Sequence, residues 1–462
     1  VGTVGALPGL GAAGPRYTSY PTADRFDARF GAPEYEAALR ARWHEGGTSR
    51  PLGLYVHLPF CESICYYCGC NKVVTRDHGR AGEYLDALAL EVELLRRLRG
   101  EGAGGDDDAV SELHLGGGTP TWFDDRQLAR LMVLLQHGFR IAAGAERAIE
   151  IDPRTVSAER LQTLAALGFD RLSFGVQDFD PAVQQAVHRV QPYRQVAALM
   201  DDARRLGFGS INVDLIYGLP MQTAASFERT LEQLCHIRPD RVALYGYAHL
   251  PERFKPQRRI DAAALPAPAQ KVGLLQAAIE RLGAAGYEHI GMDHFALAGD
   301  SLAVARRQGR LHRNFQGYTT RPDADLIGLG VSAISSVGAS FAQNAKTLGD
   351  YYGALSFGRL PTERGLALSA DDLRRRAVIL AIMCQGRVDF ADFEARHGVR
   401  FQALFAAELA ALRELEQQGV VVLDDKGFGV TPQGWFVVRA VAMVFDAYAQ
   451  AGLDRARYSR IA

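Results

Sequence analysis

Four of the six cysteines in this 462-residue chain fall within ten positions, Cys61-Glu62-Ser63-Ile64-Cys65-Tyr66-Tyr67-Cys68-Gly69-Cys70. Thiolates gathered so closely suit a soft metal centre, either zinc or an iron–sulfur cluster. A structural zinc site draws four ligands from two separated knuckles, and the sequence holds no second cysteine pair. The C-x3-C-x2-C spacing of Cys61, Cys65 and Cys68 instead leaves one iron of a [4Fe-4S] cluster without a protein ligand. Ligand count and softness favour the cluster over zinc and over a patch of reactive surface thiols.

Further candidates stand where apolar runs end. Gly116-Gly117-Gly118-Thr119-Pro120 is one; glycines let backbone N–H and C=O groups approach a ligand closely and adopt positive φ. A plain turn is the alternative, and a phosphate loop is excluded because no Lys-Ser/Thr follows. Glu150 and Asp152 share one face of their strand, placed to accept hydrogen bonds from hydroxyls or an ammonium group, or merely to solvate a rim. Gln177 and Asp214, at later strand ends, carry the same two readings. Arg189 is either a carboxylate ligand or an ordinary surface charge. Position at successive strand ends is what singles these residues out.

The scaffold follows from the same strand ends. The run 52–60, bounded by Pro59, reads as a buried strand that delivers the cysteines at its C-terminal end. Strands are then expected at 110–115, 148–152, 171–176, 210–216 and 240–245. Helices are expected at 82–98, 125–138, 157–167, 181–187, 193–206 and 224–235. Six such units, apolar on both strand faces, predict a parallel α/β arrangement. His57, the glycines at 116–118, Glu150, Gln177, Asp214 and His249 would then share its active-site rim. Periodicity alone leaves a doubly wound open sheet as the alternative to a partial barrel.

Either side of the barrel the pattern changes. Residues 1–14, interrupted by Pro8 and several glycines, read as a flexible tail rather than a signal peptide. The stretch 15–23 reads as an ordered arm, 33–45 as a helix, and 99–108 as a solvated linker. A helix at 266–284 and a strand at 288–292 precede a polar, aromatic stretch that includes 293–295 and 311–320. Beyond about Ser369, helices at 370–384 and 401–418, strands at 420–423 and 428–430, and a helix at 432–448 resemble a winged helix. With no basic recognition face, a lid or packing role is preferred to DNA reading. The expected division is an N-terminal tail and arm (1–48), a barrel with its extension (49–365), and a mostly helical, winged-helix-like C-terminal domain (366–462).

Composition narrows the class further. Hydrophobic content of 48% and charged content of 23% are those of a soluble globular chain. A net charge of −1 gives no case for a nucleic-acid partner or an anionic membrane surface. No apolar run approaches the ~20 residues needed to span a bilayer. Cys235 and Cys384 lie alone in helical patterns and read as core residues. Without a disulfide framework, a reducing cytoplasm is the expected compartment.

The cysteine spacing resembles the radical S-adenosylmethionine (SAM) superfamily, whose open iron takes the amino and carboxylate groups of SAM and whose fold is a partial (β/α)6 barrel. The glycine run resembles that superfamily's GGE-type motif, with Gly118-Thr119 where an acid is usual. Seven stretches are more specific. They are Pro15-Arg-Tyr-Thr-Ser-Tyr-Pro-Thr-Ala23, Tyr55-Val-His-Leu-Pro-Phe-Cys61, Cys68-Gly-Cys-Asn71, Gly116-Gly-Gly-Thr-Pro120, Gly175-Val-Gln-Asp-Phe179, Asp214-Leu-Ile-Tyr-Gly-Leu-Pro220 and His312-Arg-Asn-Phe-Gln-Gly-Tyr-Thr-Thr320. Together they resemble the oxygen-independent coproporphyrinogen III oxidase (dehydrogenase) family, over essentially the whole chain after the first dozen residues.

The resemblance implies a cluster on Cys61, Cys65 and Cys68 and two SAM sites. The first would involve Tyr55, Gly117, Glu150 and Ile334. The second would involve Tyr67, Gly118, Thr119, Gln177, Arg189, Asp214 and Ala248, with Tyr67 where Phe is common. Cys70 matches a fourth family cysteine that is not a ligand; Cys70, Phe315 and Gln316 are carried over as residues of the chemistry. In that family a reduced cluster cleaves SAM, and the resulting 5′-deoxyadenosyl radical takes a β-hydrogen from a propionate. Carbon dioxide then leaves, and two such steps turn coproporphyrinogen III into protoporphyrinogen IX. Arg16, Arg253, Arg258, Arg259 and Arg313 are candidate partners for the propionates. A reduced flavodoxin- or ferredoxin-type electron donor and a monomeric state are expected. Rival readings are a haem chaperone of the same superfamily, a haem-opening radical SAM methyltransferase, and a zinc-stabilised regulator. Cys70 and the arm favour the oxidase over the chaperone.

Overall fold

The computed structural model describes residues 14–44, 50–100, 108–321 and 324–450. The expected tail up to residue 13 and residues 101–107 of the expected linker lie outside the described residues. Helix α1 (Ala32–His44) buries Tyr35, Leu39 and Trp43. It precedes β1 (Leu52–Leu58), which is buried along its length except at Tyr55. Short strands β2 (Phe60–Cys61) and β3 (Val73–Val74) pair in parallel, so both ends of the cysteine loop are pinned by one small ladder.

Five further strands follow with their helices: α2 (Arg80–Arg99), β4 (Val110–Gly117), α3 (Asp125–Gly138), β5 (Ile141–Ile151), α4 (Ala158–Ala166), β6 (Arg171–Gln177), α5 (Pro181–Ala186), α6 (Tyr193–Arg205), β7 (Ser210–Tyr217), α7 (Ala224–Ile237) and β8 (Arg241–Gly246). The helix starts are written locally. Asp124, Ser157, Asp180 and Thr223 each accept a hydrogen bond from a backbone N–H in the first turn of α3, α4, α5 and α7. Strands β1, β4, β5, β6, β7 and β8 are all parallel and adjacent in chain order. A doubly wound sheet reverses its strand order at a switch point, and this run has none, so the partial barrel is the observed solution.

The sheet is wider than the six units that periodicity predicts. Helix α8 (Pro268–Ala284), β9 (Tyr287–Gly291) and β10 (His294–Leu297) add an antiparallel hairpin beyond β8. After α9 (Ser301–Arg307), β11 (His312–Asn314) and β12 (Gly317–Thr319) form a separate hairpin. Strand β13 (Asp325–Leu329) then lies parallel to β1 on its other side. Strands β14 (Ile334–Val337) and β15 (Ser340–Asn344), helix α10 (Leu348–Ser356) and strand β16 (Thr362–Ala367) continue outward. The order is β16-β15-β14-β13-β1-β4-β5-β6-β7-β8-β10-β9. Glu91 on α2, 2% exposed, fastens this extension. It accepts hydrogen bonds from Gly330 N–H (2.8 Å), Asn344 Nδ2 (2.7 Å) and Tyr351 Oη (2.7 Å).

The C-terminal segment comprises α11 (Ala370–Gln385), β17 (Arg387–Asp389), α12 (Phe390–His397), α13 (Phe401–Leu404), α14 (Ala406–Gln417), β18 (Val421–Leu423), β19 (Gly427–Val430), α15 (Val438–Met443) and α16 (Ala447–Gln450). Its three short strands pair in the order β17-β19-β18, a winged-helix-like arrangement. Two details depart from the sequence reading: β17 and α12 are additional, and the helices expected at 401–418 and 432–448 are interrupted. At Phe405 the backbone leaves helical geometry (φ −115°, ψ 35°). The Phe405 ring packs against Phe401 and Phe445, so core packing outweighs helical continuity there.

The arm is part of this second core. Tyr17 and Tyr20, each 1% exposed, pack with residues of α11 to α15. Tyr17 Oη donates to Asp446 Oδ2 at 2.9 Å, and Arg439 donates to the carbonyls of Gly14 and Pro15. Arg16 pairs with Asp293 beside β10. The main core, which runs from Phe30 to Leu360, is separate from it.

Candidate active site

Register brings the chemistry together. Tyr55 on β1 lies opposite His114 on β4, and their rings stack at 5.9 Å. His57 follows two residues on, between Tyr55 Oη (3.1 Å) and the carbonyl of Asn71 (2.9 Å), so the exit of the cysteine loop is tied to β1. Burial holds the His57 imidazole below its ordinary pKa, and therefore neutral. Glu150 on β5 accepts from Gly117 N–H at 3.1 Å and lies 3.4 Å from His114 Nε2. Its side chain is 42% exposed, which places it at a cavity wall although it is deep inside the barrel. Burial works to raise its carboxyl, but His114 and the Gly117 N–H together hold it below the usual value.

The glycine run is more than a turn. Gly117 has φ +118°, and a Cβ there would stand 2.7 Å from the His57 ring. A Cβ on Gly118 would meet the Pro59 carbonyl at 2.6 Å, so packing against the neighbouring chain demands that glycine.

A cavity of about 320 Å³ opens at this point. It is lined by Tyr55, Gly117, Glu150 and Ile334 together with His57, Cys70, Asn71, Phe315 and Gln316. All four residues expected at the first SAM site, and all three expected near the chemistry, therefore face one space. A second cavity of about 160 Å³ shares His114, Glu150 and Gln316 with it and reaches Asp214, Tyr245 and His294 inside the barrel. Asp214 is held by Asn212 Nδ2 (2.8 Å) and Ser173 Oγ (3.4 Å). Burial foremost, and then the Glu150 charge, push its carboxyl up to about 7.

The remaining candidates divide. Thr119 Oγ1 donates toward Cys61 Sγ at 3.4 Å. Arg189, 7% exposed, donates to Asp152 (3.1 Å), to the Gly175 carbonyl (3.1 Å) and toward Cys65 Sγ (3.5 Å). Arg154 Nη2 approaches the same sulfur at 3.6 Å and is also fixed by Asp152. Tyr67 packs with Val183, Val187 and Ile216, and its carbonyl accepts from Gln257. Gln177 ends β6 with φ +72°, and Ala248 follows β8 beside the Tyr247–His249 pair. Neither lines the two cavities. The five candidate arginines also have neighbours of their own. Arg16 has Asp293, Arg258 the Pro251 carbonyl, Arg259 the Tyr66 ring, Arg253 the Phe254 ring and Arg313 the Tyr318 ring.

The loop suits a cluster. Among the described residues, no three His, Cys, Asp or Glu side chains gather tightly enough to hold a single metal ion. Cys61, Cys65 and Cys68 offer three thiols on one pinned loop, with a hydroxyl and two guanidinium groups donating toward their sulfurs. Cys70 lies two residues beyond Cys68 and lines the cavity, so it stands beside the ligand set and in the cavity wall at once. His114, Arg154 and Asn71 are site residues that the sequence reading did not single out. His114 had one signal, its alternation with Gly116 on β4; Arg154 had none.

An open parallel β/α barrel with a three-cysteine loop on its first strand defines a radical SAM protein. The chain matches the Radical SAM superfamily over residues 55–234 and the HemN C-terminal domain over residues 368–437. It is 47% identical over 451 residues to the oxygen-independent coproporphyrinogen III oxidase of Escherichia coli K12, covering 97% of this chain and 96% of that one. Identity to the Pseudomonas aeruginosa protein of the same name is 46%, with the same coverage. The solved structure of coproporphyrinogen III oxidase (HemN) from Escherichia coli, described as a radical SAM enzyme, matches with a TM-score of 0.89 over 94% of this chain and 97% of that one. The chain belongs to the oxygen-independent coproporphyrinogen III oxidase family.

Proposed function

We propose that this protein decarboxylates two propionate side chains of coproporphyrinogen III to vinyl groups by radical SAM chemistry, giving protoporphyrinogen IX in haem biosynthesis. One observation carries the reading. The residues matching the family's first SAM site, Tyr55, Gly117, Glu150 and Ile334, line a single cavity with Cys70, Phe315 and Gln316 beside the cysteine loop. When bound, a [4Fe-4S] cluster on Cys61, Cys65 and Cys68 and two SAM molecules supply the electron and the carbon radical that removes a hydrogen atom from the propionate.

The protein's own residues bind, orient and exclude. Gly117 gives SAM close access to the backbone and fixes Glu150, whose ionised carboxylate accepts from hydroxyl or ammonium donors. Neutral His57 holds Tyr55 and Asn71 in place without adding charge. Arg189 and Arg154 set positive charge beside Cys65 and are themselves held by Asp152. Asp214 and Arg189, with Tyr67, Gly118, Thr119, Gln177 and Ala248, form the second SAM site in this reading. Phe315 and Ile334 give the cavity apolar walls that keep water from the radical.

No helix among the described residues is long and apolar enough to cross a membrane, and all six cysteines are free. A monomer in the reducing cytoplasm, fed by a reduced flavodoxin or ferredoxin, is the working state proposed. Residues 49–365 would carry the chemistry, with 1–48 and 366–462 as its cover. The test is anaerobic reconstitution of the protein with SAM and a reductant. Conversion of coproporphyrinogen III to protoporphyrinogen IX is expected. SAM cleavage without a decarboxylated porphyrin, or tight haem binding in its place, overturns the reading.

A further inference from the structure

Away from the cysteine loop, the chain buries a positive charge that it does not match. Arg313 on β11 is 6% exposed, and its guanidinium lies 4.6 Å from the centroid of the Tyr318 ring. Its Nε and Nη1 have no hydrogen-bond acceptor. Buried donors are nearly always paired, because stripping them of water without an acceptor is costly. The neighbouring groups do not meet the need. His294 is held uncharged by its own burial and by the Arg313 charge, and Asp293 is already paired with Arg16.

A cavity of about 50 Å³ adjoins this arginine, lined also by Arg321, Arg376, Thr18 and Ser19. Among the described residues no carboxylate lines it. It lies where the arm, the β11–β12 hairpin and α11 meet, and it shares Phe315 and Leu326 with the reaction cavity. A volume of that order accepts a carboxylate and a methylene, since one water occupies roughly 30 Å³ of liquid. Guanidinium forks and hydroxyls are the donors that planar carboxylates prefer.

We propose that this pocket holds a carboxylate of the bound substrate other than the one reacting, with Arg313 as a specificity-determining residue for a polycarboxylate ligand. The assignment rests on the function proposed above, in which the substrate carries four propionates. A molecule seated in the reaction cavity would pass one short arm beyond Phe315 and end it among the arginines, which fixes how the macrocycle is turned toward the radical.

The test uses the full-length reconstituted holoenzyme, its cluster content verified by iron analysis. R313Q is expected to raise KM for coproporphyrinogen III at least about tenfold, the cost of losing one charged hydrogen bond. kcat should stay within about threefold. R313K should recover part of the loss, and R376Q, on α11, should raise KM in the same direction. KM unchanged in both R313Q and R376Q overturns the pocket. If R313Q fails to take up iron, R376Q decides alone. Absence of turnover by the native protein overturns the functional reading and the pocket with it, whereas native turnover with unaltered variants removes the pocket only.

Discussion

Gly117 carries two demands at one position: a left-handed backbone (φ +118°) and a backbone N–H aimed at Glu150. A methyl group there would meet the His57 ring at 2.7 Å, and the ring is already fixed at both nitrogens. Gly117→Ala is therefore expected to cost more than about 1 kcal/mol of stability and to suppress SAM cleavage. Gly144→Ala, in open space on β5, should do neither. Unfolding curves and the release of 5′-deoxyadenosine from SAM by the two variants check this; equal behaviour sinks it. At this scale the sequence is legible where residue type is restrictive. Closely spaced cysteines and a triple glycine have few uses, and both lie where expected. His114 and Arg154 were illegible because their meaning comes from register across strands and from a loop that folds back on Cys65.

Among the elements, α2 bears the most consequence for its length, because Glu91 bonds three separate parts of the sheet extension. Burial pushes its carboxyl from 4.5 to about 7, although those hydrogen bonds pull the other way. Between these values the folded protein keeps a proton that the unfolded chain has released. The contribution is complete below about pH 4.5 and is lost as pH rises through about 7. Glu91→Gln cannot ionise. The stability of the native protein relative to this variant should fall by up to about 3 kcal/mol between pH 4.5 and 8. Denaturant unfolding at the two pH values measures it, and a difference independent of pH would refute it. The strands that Glu91 secures had little sequence signal. Ser335, Ser336, Gln343 and Asn344 are buried on β14 and β15, so polar residues occupy core positions and erase the alternation by which strands are recognised. The six barrel strands, rich in buried Val, Ile and Leu, were plain by contrast.

At the scale of the molecule, two cores meet through the arm. Tyr17 contributes its ring to the C-terminal core and its hydroxyl to Asp446. Tyr17→Ala should cost about 3–5 kcal/mol there, seen as faster proteolysis of the C-terminal segment than of the barrel; uniform proteolysis would contradict it. The polar, proline-bracketed sequence of the arm gave its order but not its burial, since its partners lie far along the chain, from Asp293 to Asp446. Strand β1 pairs with β4 on one side and with β13, Leu52 against Asp325, on the other. Ribosomes add roughly 5–20 residues per second, so the second partner is synthesised some tens of seconds after the first. For that interval the strand that carries the cysteine loop has one border unpaired. The barrel is complete on its β4 side while the nascent chain is still waiting for its other wall.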